Sequence, residues 1–192
     1  MSKVELQTTP IKNEDGSPYI VLTIDDEIWM TNNDEEKEYI KSVVWKAKWN
    51  CLIAGLGLGL VVRECAKQKN VDRIVIIESR PDVCDLVCPT LGLKYSEGIG
   101  CALNMKGWTG KINGKVVNVY VDDILDENIV EKLYVNEPRF DWVYLDIWME
   151  PDDPNTLDEY NTICKNIKKI VDPLVGEIDA WQKKKILAGP GV

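Results

Sequence analysis

Histidine is absent from all 192 residues. That excludes histidine triads, histidine metal ligands and histidine general bases, so any acid or base has to be Asp, Glu, Tyr, Lys or Cys. The six cysteines (51, 65, 84, 88, 101 and 164) form no Cys-x-x-Cys pair, so the pattern of a structural zinc site is missing and no metal is expected. No apolar run reaches the roughly 18 residues that would suggest a membrane-spanning helix. The opening "MSKVELQTT" has no apolar h-region either. The expectation is a cytoplasmic protein with no membrane partner, its cysteines serving as small, reduced core residues. An excess of positive charge is missing too: 23 basic residues face 32 acidic ones, for a net charge of −9. Binding to a nucleic acid backbone rests on Lys and Arg clusters, so the balance argues against that partner, a small local basic groove aside.

What remains is an ordinary globular composition, 45% hydrophobic and 29% charged. Residues 1–16 are polar and end in the turn signal Asn13-Glu14-Asp15-Gly16. Tyr19–Thr23 and Glu27–Thr31, separated by Asp25-Asp26, read as a β-hairpin. Asn33 or Asp34 can cap a helix running to about Trp45, with Tyr39, Ile40, Val43 and Val44 on one face. Asp34-Glu35-Glu36 suits the N-terminus of that helix better than a metal site. Residues 1–45 are therefore taken as an N-terminal hairpin and helix, and 46–192 as the main domain.

From residue 50 strands and helices alternate. "NCLIA" (50–54) and "RIVIIE" (73–78) are continuous apolar runs, as fully buried parallel strands should be. Helices are expected over 60–69, from Pro81, and over 157–171. "KVVNVYVDD" (115–123) and "FDWVYLDIW" (140–148) are further strands. The pattern predicts an α/β, Rossmann-like doubly wound, mostly parallel sheet with ligands at the carboxyl ends of its strands.

Gly55, Gly57 and Gly59 stand between the first of these strands and its helix, where glycine lets the backbone turn sharply and approach a ligand. Glu78 closes the next strand, 23 residues after Gly55, where a carboxylate can hold both hydroxyls of a ribose. The alternative is a tight turn with a solvated Glu. Leu60 stands where a dinucleotide fingerprint needs its last glycine, and no Gly-Lys-Ser/Thr follows.

The G-x-G-x-G spacing resembles class I S-adenosylmethionine (SAM) dependent methyltransferases, and a sulfonium cation suits an acidic site without phosphate-binding residues. "IDDEIWMTNNDEEKEY" (24–39) is similar to the region ahead of the SAM domain in spermidine synthases. "VYVDD" (119–123) resembles that family's strand ending in an Asp near the adenine, which implies this role for Asp122, with Asp123 as the fallback. "FDWVYLDIW" resembles the strand carrying the acid beside the transferred group, here Asp146. The tail from Asp146 to Ile186 is similar to short methyltransferase-like proteins of bacteria and phages. The resemblance implies SAM as cofactor, bound by Gly55, Gly57, Gly59, Glu78 and Asp122 or Asp123, with Asp146 catalytic.

The chain departs from the spermidine synthases at several points. Leu56 and Leu58 occupy the loop where an acid is usual, and Trp29 replaces a Gln. Asp146-Ile147-Trp148-Met149-Glu150-Pro151 replaces Asp-Ser-x-Asp-Pro, so a second acid beside Asp146 would have to be Glu150. Trp148 either stacks on a flat substrate or packs into the core. Methyltransferases normally add a helix and two strands after the helix ending here near Val171. This implies a sheet shortened at the C-terminus to about five strands. Lys183-Lys184-Lys185 reads as a solvated helix end, with contact to an anionic partner as the alternative. Three functions follow in order: methyl transfer to an unidentified acceptor; aminopropyl transfer from decarboxylated SAM to a polyamine; and a non-catalytic SAM-binding or assembly protein, which a homo-oligomer covering the open sheet edge would favour.

Overall fold

A computed structural model describes residues 3–99, 105–148, 153 and 155–188. Cys101, Met149, Glu150, Pro151 and Gly189 lie outside them, and with them the proposed pairing of Asp146 with Glu150. The chain opens with β1 (Val4–Lys12), β2 (Pro18–Ile24) and β3 (Glu27–Thr31), an antiparallel sheet in the order β1-β2-β3. The expected hairpin is β2–β3. The polar stretch before it adds a strand, because β1 pairs its backbone with the edge of β2 and leaves its side chains exposed or only partly buried.

Helix α1 (Asp34–Val44) follows, its cap supplied by Asn33, whose side chain accepts from the Glu36 N–H at 2.7 Å. Then come β4 (Trp49–Ala54), α2 (Leu60–Lys67), β5 (Val71–Glu78), α3 (Pro81–Val87), β6 (Lys94–Ile99), β7 (Met105–Ile112) and β8 (Lys115–Val121). The chain continues through α4 (Glu127–Asn136), β9 (Trp142–Leu145), α5 (Thr156–Ile167), β10 (Glu177–Ala180) and α6 (Lys183–Ala188).

The central sheet has the order β10-β9-β4-β5-β8-β7-β6. Its first five strands are parallel, and in chain order they run 5-4-1-2-3, read from the opposite edge the doubly wound arrangement 3-2-1-4-5. The expected total of about five strands is too low, since five is the size of the parallel set alone. The sheet reaches seven because β6 and β7 extend the β8 edge in antiparallel fashion. Asn113 and Gly114, both at positive φ, make the two-residue turn between β7 and β8, a hairpin signal visible in the sequence.

Alternate residues of the buried strands enter opposite layers. Cys51, Ile53, Ile74 and Ile76 join α2, α3 and the N-terminal Leu22, Ile40 and Val44 in one apolar cluster. Leu52, Ala54, Val75 and Ile77 join α4 and α5 residues such as Ile129, Leu133, Ile163 and Ile167 in the other. Burial of a side chain of this size contributes roughly 1.5–3 kcal/mol. The five described cysteines are free, and four of them are buried, in keeping with their reading as core residues. No described helix is long and apolar enough to cross a membrane.

Candidate functional site

The strand order reverses between β4 and β9, since the chain leaves β4 toward β5 on one side and returns to β9 on the other. Crevices outside the carboxyl ends at such a switch point are where doubly wound sheets bind ligands. A cavity of about 520 Å³ opens there. Gly55, Gly57, Glu78, Asp122, Asp123 and Asp146 all line it, although they span 92 positions of the chain. Gly59 does not. It caps α2 with φ +71°, and an added Cβ would meet the Leu91 side chain at 3.0 Å, on the core side of the loop.

The loop is built by close approach. At Gly55, φ is +94° and a Cβ would fall 2.1 Å from the Asp146 carbonyl oxygen, so only glycine lets the β4 end lie against the β9 end. Glu78 then locks the loop from the other side. One carboxylate oxygen accepts from the Leu56 N–H at 2.8 Å and the other from the Arg80 N–H at 2.9 Å. Burial raises the Glu78 pKa, and those two hydrogen bonds with the Arg80 charge oppose the rise. Each oxygen keeps a further lone pair for a ligand. Asp122 pairs with Lys132 at 2.7 Å, and Asp123 accepts from the Leu125 N–H at 2.9 Å.

Asp146 differs from all of these. Its backbone N–H bonds the Ala54 carbonyl at 2.8 Å, but its carboxylate has no hydrogen-bond partner among the described residues. Burial pushes its pKa up to about 7, with the Glu36 and Glu78 carboxylates adding to the rise. Glu36, in the first turn of α1, is itself raised by burial. This second carboxylate was invisible from sequence. It stands 110 positions before Asp146, and its only local signal was that of a helix N-terminus.

Three more residues complete the walls. Trp148 donates its Nε1–H to Glu159 at 2.8 Å and lies 6.2 Å from the Tyr160 ring, so it packs on α5 while also lining the cavity. Met30, next to Trp29, places its Sδ as acceptor for the Leu58 N–H at 3.2 Å and fills the space a Gly57 Cβ would need. Trp181, just past β10, closes the side nearest α1. In all, six carboxylates and a single guanidinium, Arg80, face the cavity among the described residues. No cluster of three metal-ligating side chains occurs among them.

No protein-family model matches the chain, and no curated protein matches its sequence. Solved structures similar to it include precorrin 8W decarboxylase from Methanobacterium thermoautotrophicum (17% identity, TM-score 0.48, covering 82% of this chain and 68% of that one). Human methyltransferase-like protein 13 in complex with SAH has 15% identity and a TM-score of 0.47 over 75% of this chain and 63% of that one. The CcbJ methyltransferase from Streptomyces caelestis has 16% identity and a TM-score of 0.44, covering 76% and 50%. The chain thus spans between half and about two thirds of their lengths.

Proposed function

We propose that the chain binds SAM in the switch-point cavity and transfers a methyl group to an acceptor held beside Asp146. The observation that carries this reading is the convergence of the glycine loop, Glu78, Asp122, Asp123 and Asp146 on one cavity. Six carboxylates against one guanidinium suit a ligand bearing a cation and hydroxyl groups, and they repel a pyrophosphate. The volume, about 520 Å³, falls within the range of small-molecule sites.

Bound SAM supplies a methyl group on a sulfonium cation, open to in-line displacement. The chain's residues do the rest. Gly55 and Gly57 form a floor without side chains, Glu78 offers its free lone pairs to ribose hydroxyls, and Asp122 or Asp123 accepts from the adenine amino group. Asp146, unpaired and titrating near neutrality, is suited to take a proton from the acceptor. Trp148 and Trp181 shield that end from water. Positioning supplies most of the rate in such a displacement.

Aminopropyl transfer is the second reading. It is favoured by Glu36, which gives Asp146 the acidic neighbour that the glycine loop lacks. The cavity beside Asp146 counts against a purely structural protein. Titration calorimetry against SAM, decarboxylated SAM and NAD tests all three. Binding of SAM alone is the expected result, preference for decarboxylated SAM would promote the second reading, and no binding would overturn both.

A further inference from the structure

Methyl transfer as read above leaves the Lys183–Lys185 run without a role. A second chamber, of about 380 Å³, lies between the first turns of α1 and the β10–α6 junction. Glu36 and Trp181 line both this chamber and the SAM cavity, so the two adjoin on the Asp146 side.

Its walls carry both signs of charge. Glu35 and Glu36 come from α1, Lys184 and Lys185 from α6, and among the described residues no ion pair involves any of the four. Opposite charges that face one chamber without pairing leave a standing field, complementary to a ligand that is itself dipolar. One hydroxyl, that of Tyr39, shares the wall with these charges. Tyr39 accepts from the Gln182 N–H at 2.8 Å, which fixes its ring at the β10–α6 junction. Behind it the fully buried Tyr144 hydroxyl lies against that of Tyr39, outside the chamber wall.

We propose that this chamber holds the acceptor, and that the acceptor is a small zwitterion of the amino-acid type. Its ammonium nitrogen points toward Glu36 and Asp146, and its carboxylate rests on Lys184 and Lys185. A diamine would bring a second cation against the two lysines, and a simple carboxylate would leave the acidic end unanswered. The binding stands on the chamber's own charges, while the fate of the nitrogen rests on the methyl-transfer reading. In that transfer the ammonium gives one proton to the Asp146 carboxylate and the freed lone pair forms the N–C bond. The electron pair of the broken C–S bond stays on sulfur as a neutral thioether.

The test is a calorimetric series on the whole chain with glycine, β-alanine, 4-aminobutanoate and 6-aminohexanoate, each beside the diamine and the alkanoate nearest in length. One amino acid length should bind at least about tenfold more tightly than both of its controls, the scale of one charged hydrogen bond. The double variant Lys184→Glu/Lys185→Glu should lose that advantage and gain affinity for the diamine. A wild-type chain that binds the diamine equally well, a variant that leaves the amino acid affinity unchanged, or no saturation by any amino acid at about 10 mM would each overturn the proposal. A parallel SAM titration of the same samples separates the two failures. Amino acid binding without SAM binding removes the methyl-transfer reading and keeps the chamber. SAM binding without amino acid binding does the reverse.

Discussion

Glu78 and Asp146 occupy equivalent places on either side of β4, one at the end of β5 and the other just past β9, yet their surroundings are opposite. Both are partly or wholly withdrawn from water, and both are raised by burial. Glu78 is answered by two backbone N–H groups and the Arg80 charge. The charges that act on Asp146 are those of two other carboxylates, Glu36 and Glu78. The fold therefore turns one acid into a fixed clamp on the glycine loop and leaves the other able to exchange a proton. A position at a strand end offers a site, and the groups around it decide what the site does.

The most damaging way to break this pair is at Gly55, which lets the two halves meet. Gly55→Ala places a Cβ on the Asp146 carbonyl oxygen at φ +94°. It should cost about 4 kcal/mol or more of stability in a urea titration, since backbone overlap adds to strain. A loss under about 1 kcal/mol would show that the close approach is not needed.

Asp146→Asn comes next. Turnover should fall about 10²–10⁴-fold, the usual contribution of a general base, with SAM affinity within about twofold. In the wild type, kcat/KM should rise as pH passes about 7, because only the deprotonated acid takes a proton. Stability runs the other way. A carboxyl group raised on folding binds more protons in the folded chain, so stability falls as pH climbs from the ordinary Asp range, 3.8, to about 7. The Asn variant should lose that fall and be the more stable protein at pH 8, by at least about 1 kcal/mol. Equal stability at pH 8 would place the Asp146 charge in a well-solvated setting.

Glu78→Ala sharpens the contrast by failing differently. It should weaken SAM binding by roughly 1–3 kcal/mol and lower stability by a similar amount, since both Leu56 and Arg80 N–H groups lose a charged partner. Unchanged SAM affinity would remove Glu78 from the site. Trp148→Phe is the mildest test. It deletes the Nε1–H bond to Glu159 and should cost about 0.5–1.5 kcal/mol, with KM for the acceptor moving more than KM for SAM. The reverse ordering of the two KM values would put Trp148 on the cofactor side.

The legible parts of the chain were those whose physics is local. "NCLIA" and "RIVIIE" announce buried parallel strands because both of their faces are apolar, and a glycine run between strand and helix announces a close approach. Helix α4 was equally local, with Asp126 capping Asn128 and Ile129, Val130 and Leu133 on its inner face, and the sequence reading passed over it. So was the Asn113-Gly114 hairpin turn. Strand β10 was harder. Four residues, Glu177–Ala180, carry little pattern, and they become a strand only because the β9 edge offers them a ladder. Glu36 and Tyr39 were harder still, because one helix face serves both the core and the site.

The sequence by itself determined the alternation of strands and helices, the bend after β4, and the acids at the strand ends, since each follows from hydrophobic period, glycine and position along a few consecutive residues. Tertiary structure alone decided which acids are neutralised and which are left facing one another. Proton affinity and ligand charge depend on what surrounds a group in space, and around Asp146 those groups come from α1, β5 and β9, brought together only when the sheet reverses its winding.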